Sequence, residues 1–146
     1  MLKAVAFDET IRTAPADRAT SVLWLERGLA ELLAGESLRA AHSFRAAIDA
    51  DFDNLVAHHG HVLALRLAGR LRAALRGALA LSILAPKDPL VHAVLALSLQ
   101  AAEMYEPAQK AEARAHALLA ERQQQLAAEV RQSRALFPIL GNEAFG

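Results

Sequence analysis

The chain has no cysteine, one tryptophan, one tyrosine and no formal net charge. Without cysteine, a disulfide scaffold and a thiolate zinc site are both excluded, and the redox compartment stays open. β-Branched residues are sparse and unclustered, so no run reads as a strand. No apolar run approaches the roughly 20 residues that span a bilayer. The opening MLKAVAFDETIR meets Asp8 and Glu9 before any apolar core adequate for a secretory signal. The expectation is therefore a soluble, cytoplasmic protein with no membrane span. Zero net charge argues against general binding to a phosphate backbone, so nucleic acid is not an expected partner.

What the chain does contain is alanine and leucine. It is 54% hydrophobic but only 5% aromatic, and Ala, Leu, Arg, Glu and Gln are the strongest helix formers. A length of 146 residues suits one compact all-α domain.

Self-similarity sets the organisation. Ala40, Ala74 and Ala108 lie 34 residues apart, and Thr20, Asn54 and Asp88 share that period. The latter three precede apolar-periodic segments and suit N-caps, because their side-chain oxygens accept from unpaired N–H groups of the first turn. Pro89 follows Asp88 at a first helical position, where its missing N–H costs little. Gly35 and Gly69 repeat the spacing at turns, while Glu103 stands in the third copy. The pattern predicts helices over 21–34, 37–50, 55–68, 71–84, 89–102 and 105–120, with neighbours antiparallel. The last helix should run on, since Arg122 replaces a cap residue and Leu118, Leu119, Leu126, Val130, Leu136 and Phe137 recur near helical spacing. Pro138 should end it at or before Phe137.

Across 21–122 these residues resemble the tetratricopeptide family. Repeat one supplies Trp24, Gly28, Gly35, Ala40, Phe44 and Ala47; repeat two keeps Gly69, Ala74 and Pro86; repeat three keeps Ala96, Tyr105, Ala108 and Ala115. The resemblance implies an α-solenoid of three helical hairpins (21–54, 55–88 and 89–122). Residues 1–20 would be an N-terminal extension, and 123–146 a long capping helix with an apolar tail. Leu2, Val5 and Phe7 would pack on the first hairpin or a partner. Phe137, Ile139, Leu140 and Phe145 would fold back over the core or dock into a neighbouring subunit.

The resemblance also implies a concave face built by the first helices. Its ligand-facing positions would be Val22, Leu25, Leu29, Leu32 and Leu33, then Val56, His59, Leu63, Arg66 and Leu67, then Leu90, Ala93, Leu97, Gln100 and Ala101. Members that hold a terminal carboxylate use Lys and Asn at places where Leu25 and Leu29 stand, so that activity is not carried over. An apolar groove instead suits an apolar segment or an amphipathic helix of another protein. The expected role is an adaptor or chaperone-like module. In size and repeat number the chain also resembles type III secretion chaperones for translocators. The structural alternative is a homo-oligomer joined through the tail or groove.

Charge is uneven along the repeats: −3 over 21–54, +4 over 55–88 and −1 over 89–122. Arg66, Arg70, Arg72 and Arg76 form either a solvated face or a basic edge for an acidic partner. His58, His59 and His61, with His92 one repeat on, are imidazoles of the kind that bind zinc, copper or nickel. Trp24 at the repeat equivalent of His58 points instead to packing, so no metal and no cofactor is expected. No phosphate loop, H-E-x-x-H or nucleophile elbow occurs, so no catalytic residue is assigned.

Overall fold

A computed structural model describes residues 15–136, and among them every regular element is an α-helix. The helices are α1 (Arg18–Leu33), α2 (Ser37–Ala50), α3 (Leu55–Leu67), α4 (Leu71–Leu84), α5 (Pro89–Ala101) and α6 (Tyr105–Leu136). The expected packing of the two apolar ends, including Leu2, Val5, Phe7, Phe137, Ile139, Leu140 and Phe145, lies outside the described residues. No described helix is long and apolar enough to cross a membrane.

Capping chemistry sets the starts. Asn54 accepts from the Ala57 N–H at 3.1 Å, and Asp88 from the Leu90 N–H at 2.9 Å. Thr20 is not a cap. Asp17 accepts from its N–H at 3.0 Å and from its hydroxyl at 2.7 Å, so α1 begins one turn earlier. A carboxylate three residues upstream satisfies a first-turn donor, leaving Thr20 inside the helix.

The three hairpin turns share one geometry. The Glu36, Arg70 and Met104 N–H groups donate to the carbonyls of Glu31, Leu65 and Leu99 respectively. This six-to-one bond requires a left-handed residue between the helices. Gly35 and Gly69 supply it at φ 79° and 77°, and Glu103 is held there at φ 61°. The junctions between hairpins also repeat. His58 Nε2 lies 2.7 Å from the Phe52 carbonyl, and His92 Nε2 lies 2.7 Å from that of Pro86.

Each helix packs on its chain neighbours. In addition, α3 touches both α1 and α2, and α5 touches both α3 and α4. The first helix of each following hairpin thus sits in the seat formed by the hairpin before it. Ala40, Ala74 and Ala108 are all buried, as close helix packing requires. Phe44 is fully buried against Ala40, Ala41 and Ala64, and its ring fills space that Gly28 and Gly60 leave open. The second core gathers Val62, Ala78, Leu81, Val91 and Leu95.

The last helix covers this core through Ala108 and Ala111 and leaves it beyond Leu118. It touches no other described helix than α5, and every residue from Leu119 to Leu136 is exposed. Arg122 offers no cap and nothing else breaks the chain there, so α6 continues to Leu136. At a rise of 1.5 Å per residue, residues 121–136 project about 24 Å.

Candidate helix-docking groove

Residues that α5 and α6 leave uncovered line a groove of about 570 Å³. Pro89, Leu90, Ala93, Ala96, Leu97 and Gln100 form one wall. Tyr105, Ala108, Gln109, Glu112, Ala115, His116 and Leu119 form the other. The antiparallel hairpin sets both walls, because α5 starts beside the middle of α6 and ends beside its first turn. Leu90, Leu97, Tyr105 and Leu119 are exposed, while the floor at Ala96 and Ala108 is buried. Small floor residues between larger rims would let a helix approach closely. Glu112 is the carboxylate of this lining; His116 Nε2 lies 3.8 Å from it, one turn along.

The expected ligand-facing residues divide by repeat. Leu90, Ala93, Leu97 and Gln100 come together in this groove; Ala101, assigned to the same face, does not line it. Leu25 and Leu32 instead pack against the Phe44 cluster and belong largely to the core. Val22, Leu29, Leu33, Val56 and Leu67 are exposed on α1 and α3, while Leu63 and Arg66 are half-buried there. The α6 wall was missed, since first helices alone were expected to contribute. Its signal was in the sequence: Tyr105, Ala108, Glu112, Ala115 and Leu119 recur by threes and fours.

The histidines are separated by their surroundings. The carbonyl bonds of His58 and His92 are matched repeat features, which fits packing at the Trp24 position. Both ring nitrogens of His59 are buried without a hydrogen-bond partner. Burial holds its pKa below the ordinary 6.5, with Asp88 opposing and His58 reinforcing the shift. Burial likewise lowers His61, helped by Arg45, His58 and His42 and opposed by Asp49. Among the described residues, no three His, Asp or Glu side chains are grouped to hold a metal. Arg70, Arg72 and Arg76 are exposed around the second turn. In comparison with known proteins, no family model matches the chain and no curated protein is significantly similar to it.

Proposed function

We propose that the chain is a protein-interaction module of the tetratricopeptide kind, and that its α5–α6 groove receives an amphipathic helix of a protein partner. One observation carries this reading. The seat that α3 fills on α1–α2, and α5 fills on α3–α4, recurs at α5–α6 with no described helix in it. The physics that stacks the chain's own hairpins would act equally on a helix from elsewhere. Leu90, Leu97 and Leu119 would be covered by apolar contact, while Gln100, Gln109 and Glu112 would fix direction. An adaptor and a chaperone-like holder of clients would both use such a seat.

A photo-crosslinking residue at Leu97 should capture a helical segment of a partner in cells. The same probe at Leu33, which is 91% exposed on α1, should not. Equal capture from the two positions would discard the groove as the binding site.

A further inference from the structure

We infer that the groove's occupant is the projecting half of α6 from a second copy of this chain, giving a two-fold dimer in which each copy seats the other's helix. This rests on the reading of the groove as a helix seat and names its partner.

The face of α6 that lines the groove does not stop where α5 does. Tyr105, Ala108, Glu112, Ala115 and Leu119 share one side of the helix, and Leu126 and Val130 continue that side. Leu126 is 55% exposed and Val130 53%, on a stretch whose described residues are all exposed.

Length and direction fit. The α6 wall runs from Tyr105 to Leu119, about 21 Å, and the projection of residues 121–136 is about 24 Å. Successive helices here are antiparallel, so a helix entering the seat should oppose α6. A two-fold axis beside residue 121 provides that orientation. It sets Leu126 against Ala115 and His116 of the second copy, and Val130 against Glu112, with Arg131 beside that carboxylate. One surface supplies both halves of the contact, so the assembly closes as a dimer rather than growing into a chain.

The test uses the full chain in multi-angle light scattering and sedimentation, with three proteins: wild type, Leu97→Glu in the groove, and the double variant Leu126→Glu, Val130→Glu on the projection. All three positions are exposed in one copy, so helicity by circular dichroism should not change. Wild type should show about twice the mass of one 15.7 kDa chain, and each variant should be monomeric. Mixing the two variants should restore a weaker heterodimer, because one intact projection then meets one intact groove. A monomeric wild type would overturn the dimer, whereas partner capture at Leu97 would still stand or fall alone. A dimer indifferent to Leu97→Glu, or one lost only when residues 137–146 are removed, would equally overturn it.

Discussion

A methyl group on Gly60 would lie 2.6 Å from Cε1 of Phe44, closer than carbon atoms approach in packed proteins. The ring therefore sets the spacing of α2 and α3. Gly60→Ala should destabilise the fold by about 1–3 kcal/mol, read from urea unfolding. In a Phe44→Leu background the penalty should shrink, because the ring atoms that meet the methyl are gone. An unchanged penalty would mean that the cost arises in the helix backbone instead.

Glu103 occupies a left-handed conformation that its two counterparts reach as glycine. Glu103→Gly should raise stability by about 0.5–1 kcal/mol, the strain relieved exceeding the added freedom of the unfolded chain. A lower melting temperature would show that the Glu side chain contributes more than its backbone costs.

The folded-state pKa values of His59 and His61 lie below 6.5. As pH falls below that value the unfolded chain takes up protons first, so stability declines toward the lowered folded-state values and is full above 6.5. Urea midpoints measured on either side of about pH 6.5 should show this slope. Replacing both residues by Gln should flatten it.

Much of this arrangement is legible in the sequence, for a local reason. Asn54, Asp88–Pro89, Gly35 and Gly69 act within one turn of where they stand, so spacing alone places five of the six helix starts. Thr20 misled because the better acceptor, Asp17, breaks the 34-residue period. The groove was half legible. Its α5 wall follows from repeat register, but Tyr105, Glu112 and Leu119 line a groove only because no further described helix covers them. That depends on a hairpin failing to form after Arg122, and the exposure of the helix beyond it is a tertiary fact. Leu25 and Leu32 show the converse, since apolar periodicity does not separate a groove leucine from one drawn into the Phe44 cluster.

Asn54→Ala should cost about 1–2 kcal/mol, more than a surface cap removed alone. Its carbonyl oxygen caps α3, and its Nδ2 also donates to the Ser21 hydroxyl at 2.9 Å. Asn54→Asp keeps the cap and loses that donor, so its cost should isolate the second bond.

The Ser21 hydroxyl in turn donates to the Ala47 carbonyl at 2.8 Å, and Ser21 is buried. One side chain thereby ties the start of α1, the end of α2 and the cap of α3. At the next junction Asp88 bonds its own helix. Opening of the first hairpin is thus coupled to loss of the α3 cap, while the second and third hairpins share the core of Val62, Ala78, Leu81, Val91 and Leu95. Amide hydrogen exchange should show the start of Leu55–Leu67 opening together with the residues before it.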